Sequence, residues 1–269
     1  MLKKIRNNCT FEVSEELTNL NLWGRNIDNN GARLIYESLK TNSTLTQLNI
    51  NSNFAINAEG AKSIAELLKI NSSIRFLNFY SCSLGVEGAR VIAEALKINT
   101  TLQTMHIGIN GFGDEGAKAF AEALKVNTTL TALYLNGNEI GADGGAAILE
   151  AMQVNSTLCG LHLWTNNIGD GAKFLPKLLQ VNTTLNNIDL GDNKIENHVV
   201  KTLPEVLEKN STIQSLHLYS NNIDQNLCDT IANLVQRNDD YYYNFYSIIR
   251  ETLKDDDLNV IVDFIENNK

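Results

Sequence analysis

The sequence predicts an α/β solenoid, with a layer of short parallel strands on one side and a layer of helices on the other. Three observations predict it. Leu17, Leu45, Ile74, Leu102, Leu130, Leu158, Leu185 and Ile213 recur at spacings of 28, 29, 28, 28, 28, 27 and 28 residues, and a fixed period of this length marks a repeat architecture. Each unit opens on an alternating apolar stretch, the strand signal, and closes on apolar residues three to four apart, the helix signal. Neither half can bury its own apolar face, so the units must stack and cover one another.

The unit that opens at Asn127 shows the pattern most clearly. Asn127-Thr128-Thr129 leads into Leu130, Leu133 and Leu135, and from Leu133 the apolar positions step by two with polar residues between them. Asn138 then turns the chain, where its side chain can bond backbone groups that a short strand leaves unpaired. In the preceding unit, Gly116 to Lys125 places Gly116, Phe120 and Leu124 four residues apart on one face of a helix. The pairs Ile35/Leu39, Ile64/Leu68, Ile92/Leu96, Ile148/Met152, Leu175/Leu179, Leu203/Leu207 and Ile231/Val235 repeat that face.

Gly31, Gly60, Gly88, Gly116, Gly144 and Gly171 mark the helix starts, where a missing Cβ allows a neighbouring unit to approach. Val199 and Leu227 stand at that place in the last two units, so packing is expected to change there. The two prolines, Pro176 and Pro204, fall about five residues into their helices, which predicts helices that start late or bend.

The eight units span residues 17–240 of what reads as a single domain over residues 1–269, with an N-terminal cap over residues 1–16. Tyr241 lies 28 residues after Ile213, so Tyr241 to Tyr246 reads as a degenerate ninth strand with Asn244 at a core position. Asp255-Asp256-Asp257 precede Leu258, Ile261, Val262 and Ile265, the signature of a closing helix. Residues 241–269 therefore read as degenerate repeat and C-terminal cap.

Composition excludes several classes of function. A net charge of −9 with scattered Lys argues against nucleic acid as a partner. No apolar run long enough to span a membrane occurs, and none follows the basic Met1 to Arg6, so neither a membrane segment nor a secretory signal is expected. Four unpaired cysteines, Cys9, Cys82, Cys159 and Cys228, fit a reducing intracellular, cytoplasmic setting. Seven unit-opening tripeptides match the glycosylation sequon, as does Asn8-Cys9-Thr10, but a sequon at every unit boundary reads as a fold motif. Asn there tolerates the left-handed conformation that ends many helices, and Ser or Thr can bond the turn.

The run Leu130-x-x-Leu133-x-Leu135-x-x-Asn138-x-Ile140, followed by Gly and an amphipathic helix, resembles the ribonuclease-inhibitor-type leucine-rich repeat (LRR) family. The resemblance implies a horseshoe with strands on the concave side and helices on the convex side. Arg25 and Cys82 depart from it by replacing the repeat Asn, and Ala55 replaces an apolar residue in the 29-residue unit. Cys82 fits as a buried, weakly hydrogen-bonding substitute.

On that frame, the residues between and beyond the apolar strand positions point away from the core. One row runs Asn21, Asn49, Asn78, His106, Tyr134, His162, Asp189, His217, and the next runs Trp23, Asn51, Tyr80, Gly108, Asn136, Trp164, Gly191, Tyr219. A strand face in water has no structural need for tryptophan, whereas Trp, Tyr and His are frequent anchors at protein interfaces. Trp23, Tyr80, His106, Tyr134, His162, Trp164, Asp189, His217 and Tyr219 are the candidate partner-binding residues. The competing reading is that they only stack on one another along the ladder. His162, Asp189 and His217 also suggest a metal site, but outer ligands two strands apart lie about 10 Å from each other, so no metal or cofactor is expected. No nucleophile elbow or catalytic triad pattern appears, and Gly141 to Gly145 lacks the lysine of a phosphate loop, so no enzyme is expected.

The resemblance implies a non-enzymatic module that binds a protein. The repeat form resembles the LRR regions of NOD-like receptors and the LRR effectors that Legionella-type intracellular bacteria deliver into host cytoplasm. The effector version draws on a chain that is nearly all repeat and on heavy use of Asn, Ile and Lys. A RanGAP-like regulator of a small GTPase is the alternative, with Arg25 as its one suggestive residue. A tropomodulin-like actin-capping module is a third.

Overall fold

The computed structural model describes residues 13–252. Eight strands of three residues each form one parallel sheet in sequential order. They are β1 (Asn19–Asn21), β2 (Gln47–Asn49), β3 (Phe76–Asn78), β4 (Thr104–His106), β5 (Ala132–Tyr134), β6 (Gly160–His162), β7 (Asn187–Asp189) and β8 (Ser215–His217). The register never slips, and Leu20, Leu48, Leu77, Met105, Leu133, Leu161, Ile188 and Leu216 form one row across the sheet. This is the solenoid of strands and helices that the period implies, with the apolar side of each strand turned toward the helices. The central core is dry, and Leu45, Leu48, Ile50, Leu133 and Leu135 are each 0% exposed.

The helical layer is continuous through the fifth repeat: α1 (Asn29–Leu39), α2 (Ala58–Ile70), α3 (Gly85–Leu96), α4 (Gly113–Leu124) and α5 (Ala142–Ala151). Several helices are capped at the N-terminus by the repeat before them. Asn29 Oδ1 accepts from the N–H of Asn57 and of Gly60, each at 2.9 Å. Asp114 Oδ1 accepts from Gly141 at 2.7 Å and Gly144 at 2.9 Å. These bonds explain two of the recurring glycines, because a Cβ on Gly60 would lie 2.7 Å from Asn29 Oδ1 and one on Gly144 would lie 2.6 Å from Asp114 Oδ1.

Both prolines break their helices. The sixth repeat runs as a 3₁₀ turn over Gly169–Phe174 and only then as α6 (Leu175–Val181), with Pro176 in the first turn. The seventh divides into α7 (Asn197–Val200) and α8 (Leu203–Leu207), with Pro204 again in a first turn. A ring that cannot donate is tolerated there and nowhere deeper. The helix holding Val199 in the recurrent glycine position is thus only four residues long. The final helix, α9 (Gln225–Thr252), has 28 residues.

Three expectations need correction. Tyr241 to Tyr246 forms no ninth strand but lies within α9. The 28-residue period ends because residues 239–240 continue the helix of the eighth repeat where earlier repeats open an Asn turn. Asn71 and Asn182, at unit boundaries, have φ of −79° and −85° and are extended, so left-handed geometry plays no part in their turns. In the 29-residue repeat the extra residue is taken up by the exposed pair Phe54 and Ala55, and Ile56, not Ala55, fills the buried apolar place. Leu258 to Ile265 lie outside the described residues, as does the beginning of the N-terminal cap.

Two asparagine ladders tie the repeats together. At the unit boundaries, Asn127 Oδ1 accepts from the N–H of Thr129 and Leu130 while its Nδ2 donates to Leu96 O at 2.7 Å and Asn99 O at 3.2 Å. Asn99, Asn155, Asn182 and Asn210 repeat the donation to the previous helix end. The amide nitrogen a glycan would need is therefore buried and engaged. In the turns after the strands, Asn138 Nδ2 donates to Leu135 O at 3.0 Å and Ile107 O at 3.1 Å, and its Oδ1 accepts from Asn110 N–H at 2.7 Å.

Both departures from this second ladder have physical reasons. Arg25 belongs to the first repeat, before which no strand and its turn lie among the described residues, and it receives support through its own N–H to Asn53 Oδ1 at 3.1 Å. Cys82 reaches Ile50 O with Sγ at 3.6 Å. Burial pushes its thiol up to about 11, so it is held as a neutral thiol, not a reactive thiolate.

Candidate functional site

The sheet face opposite the helices carries three outward rows, one at each end of the strands and one just beyond them. Strand pairing places Asn78, His106, Tyr134, His162, Asp189 and His217 in direct succession, so the row deduced from the repeat is real. The preceding row, Asn19, Gln47, Phe76, Thr104, Ala132, Gly160, Asn187 and Ser215, shares the same face. It was not singled out from sequence, although the two-residue alternation of a strand would have found it.

Part of the central aromatic set is occupied with itself. The rings of His106 and Tyr134 stack at 3.9 Å, and those of Tyr134 and His162 at 4.1 Å with an interplanar angle of 4°. Phe76, from the missed row, tilts against His106 at 5.2 Å. The tilted pair lies within the range of about 4.5–7 Å usual for ring pairs, and the two stacked pairs are closer than that. Burial, reinforced by His162, lowers the pKa of His106. Burial also lowers that of His162, although Asp189 acts in the opposite direction. Both rings are thus favoured as neutral, which suits a stack.

The third row explains two glycines. A Cβ on Gly108 would lie 2.9 Å from Tyr80 Cε2 and 2.7 Å from Asn136 O, and a Cβ on Gly191 would enter the ring of Tyr219. Tyr80 and Tyr219 therefore lie over the glycine of an adjacent strand. Trp164 is half-buried between these two features, whereas Trp23 stands alone at the first strand, 60% exposed. Tyr219 remains 52% exposed at the opposite end. Seven strand steps of about 4.8 Å put these two roughly 34 Å apart. The nine candidate residues line a strip, and at its end His217 and Tyr219 also line a cavity of about 420 Å³ against Cys228 and Asp229.

At β7 and β8 the strip becomes polar. Asp189 is only 8% exposed; its Oδ1 accepts from Gly191 N–H at 3.0 Å. Its Oδ2 has the Tyr219 hydroxyl at 3.4 Å and His217 Nδ1 at 3.6 Å. Burial and then Asp189 raise the pKa of the Tyr219 phenol. Among the described residues no group of three His, Cys, Asp or Glu side chains is placed to hold a metal ion, and no helix is long and apolar enough to cross a membrane.

Residues 41–65, 99–121 and 126–149 match a family model described as Leucine Rich repeat. A comparison with curated proteins gives no match. Among solved structures, the chain is similar to Leiomodin-1 Actin-Binding Site 2, with 18% identity over 94% of this chain and 95% of that one at a TM-score of 0.40. It is similar to the tropomodulin C-terminal domain of Caenorhabditis elegans, with 16% identity over 62% and 99% of the two chains at 0.48. A chain of the yeast Rad7 and Elc1 complex gives 17% identity over 76% of this chain and 48% of that one, at 0.54. At that identity the likeness to the Rad7–Elc1 chain is one of fold alone.

Proposed function

We propose that this chain is a non-enzymatic interaction module that binds a partner protein on its concave face. The observation that carries the reading is the exposure of Trp23 and Tyr219 at opposite ends of a face whose three rows contain no Lys or Arg and one acid, Asp189. Exposed aromatic groups on a rigid, nearly uncharged strip lose little entropy on binding and bury large apolar area. The stacked centre, His106–Tyr134–His162, acts as a preformed platform; Trp23, Tyr80, Trp164 and Tyr219 are its contacts.

The test is affinity capture from a cell lysate with the wild-type chain and a Trp23→Ala/Trp164→Ala variant. A partner retained by wild type and lost by the variant supports the reading. Equal recovery of every partner by both moves binding to another surface. The finer setting, a bacterial effector working in host cytoplasm, draws support from the Asn-, Ile- and Lys-rich composition, and a translocation reporter fused to the chain tests it.

One observation favours the second reading, regulation of a small GTPase. Arg25 is exposed in the turn after β1, where a partner could meet its guanidinium. Accelerated GTP hydrolysis by a candidate GTPase, abolished by Arg25→Ala, would replace the first reading.

A further inference from the structure

We propose that the concave floor at β7 is a subsite for an arginine side chain of the bound partner. The proposal rests on the concave-face reading and gives it a chemical specificity. Asp189 is the one residue of fixed charge in the three outward rows, and it is more than nine-tenths buried. A carboxylate offers about four acceptor positions. Only one bond here is short, from Gly191 N–H at 3.0 Å, while Oδ2 faces two long contacts, the Tyr219 hydroxyl at 3.4 Å and His217 Nδ1 at 3.6 Å.

A second, independent shortage lies beside it. Asn187, two residues earlier on the same strand and face, has a buried Oδ1 with no hydrogen-bond partner. A buried acceptor without a donor is costly, and such atoms call for an explanation. Two adjacent acceptors short of donors match a donor-rich group with no acceptors of its own.

The surroundings select the shape of that group. Gly160, on the adjacent strand, adds no side chain, and a Cβ there would make only ordinary contacts, 3.6 Å from His162 Nε2 and 3.8 Å from Ala132 Cβ. Gly160 is itself buried, and the His162 ring is the nearest side chain against it beside Asn187. Tyr219 lies over Gly191 on the other side, and His162 flanks Asp189 in its row. A guanidinium is planar, carries five donors in a fixed fork and stacks on ring faces, whereas an ammonium is a strongly hydrated point charge with three donors. The pair Asp189 and Asn187 can accept the fork while an aromatic ring covers its face.

The test uses the full chain carrying Trp23→Phe, so that Trp164 is its sole tryptophan. The probes are the blocked pentapeptides acetyl-Gly-Gly-Arg-Gly-Gly-amide and its citrulline and lysine counterparts. Trp164 emission and the Gly191 amide resonance are followed. The arginine peptide is expected to saturate both signals. Citrulline, with nearly the same shape and no charge, should bind about tenfold more weakly, and lysine should fall between them. Asp189→Asn, which keeps an acceptor for Gly191, should weaken the arginine peptide by a similar factor. No saturable response to the arginine peptide, equal response to citrulline, or an Asp189→Asn variant with undiminished binding overturns the proposal. The citrulline arm needs no change at Asp189 and so holds even if that variant folds poorly. A partner captured through Trp23 and Trp164 with no arginine response would remove the subsite and leave the concave-face function standing.

Discussion

Repeats two to five and repeats six and seven share one sheet but differ behind it. In the former, α2 to α5 are unbroken helices of 10 to 13 residues. In the latter, prolines divide the helical layer into α6, α7, α8 and a 3₁₀ turn. Yet β6, β7 and β8 pair in the same register as β2 to β5. Irregularity on the convex side does not propagate to the concave side. The sheet is held by its own backbone bonds and by the asparagine ladders, so the helical layer is free to vary. The polar end of the candidate site lies in front of the broken helices.

The largest expected effect breaks the regular block at its core. Leu133→Ala removes a side chain that is 0% exposed in β5, and a loss of about 3 kcal/mol is expected from urea unfolding. A loss under about 1 kcal/mol would mean that the regular repeats repack as readily as the broken ones. Next in size are the ladder residues. Asn138→Ala strands several buried carbonyl and N–H groups and should lose about 2–3 kcal/mol. Asn221→Ala removes the same kind of bonds, from Nδ2 to Leu190 O and Leu218 O at 2.9 Å, but in a more exposed turn. It should lose less than half as much, and equal losses would erase the distinction between interior and end.

Gly144→Ala should destabilise by roughly 1–3 kcal/mol through overpacking against Asp114 and Ala117, whereas Val199→Ala, in the broken block, fills no such contact and should cost about 1 kcal/mol. A melting comparison of the two variants decides this.

Backbone strain offers a gain instead of a loss. Ile109 holds φ at 51° while 45% exposed, a poor conformation for a β-branched residue. Ile109→Gly should stabilise the chain by about 1 kcal/mol. No gain in melting temperature would show that its apolar contacts offset the strain.

The smallest effect is one of pH. The lowered pKa values of His106 and His162 mean that the unfolded chain binds protons first, so their contribution is complete above about 6.5 and declines as pH falls through that value toward the folded pKa. A double His106→Phe/His162→Phe variant should flatten stability against pH between about 7 and 5.

The fold was legible because the repeat is written in residue types whose physics is local and periodic. Leu130, Leu133 and Leu135 announce a strand side, and Gly116, Phe120 and Leu124 announce a helix side. Pro176 and Pro204 announced broken helices, since a missing N–H acts wherever the residue sits in the turn. Tyr241 to Tyr246 misled because an aromatic run placed one period after Ile213 suits a strand, whereas here the backbone of α9 continues through them. The rows of the candidate site were legible from alternation alone. Phe76 and Asn187 stood out less because their row is otherwise made of small and polar residues that suit any solvated strand.

The sequence by itself determined the repeat number, the strand register and which side chains leave the core, because each follows from periods of two and 28 residues. Only the tertiary structure decided what those side chains do to one another. Tyr80 and Tyr219 lie over glycines of neighbouring strands, Tyr134 is clasped between two histidines, and Asp189 is buried with the Asn187 Oδ1 unpaired beside it. Such contacts join residues some 28 positions apart, and their outcome depends on rotamers, ring planes and the space a glycine leaves. Periodicity carries no record of those quantities.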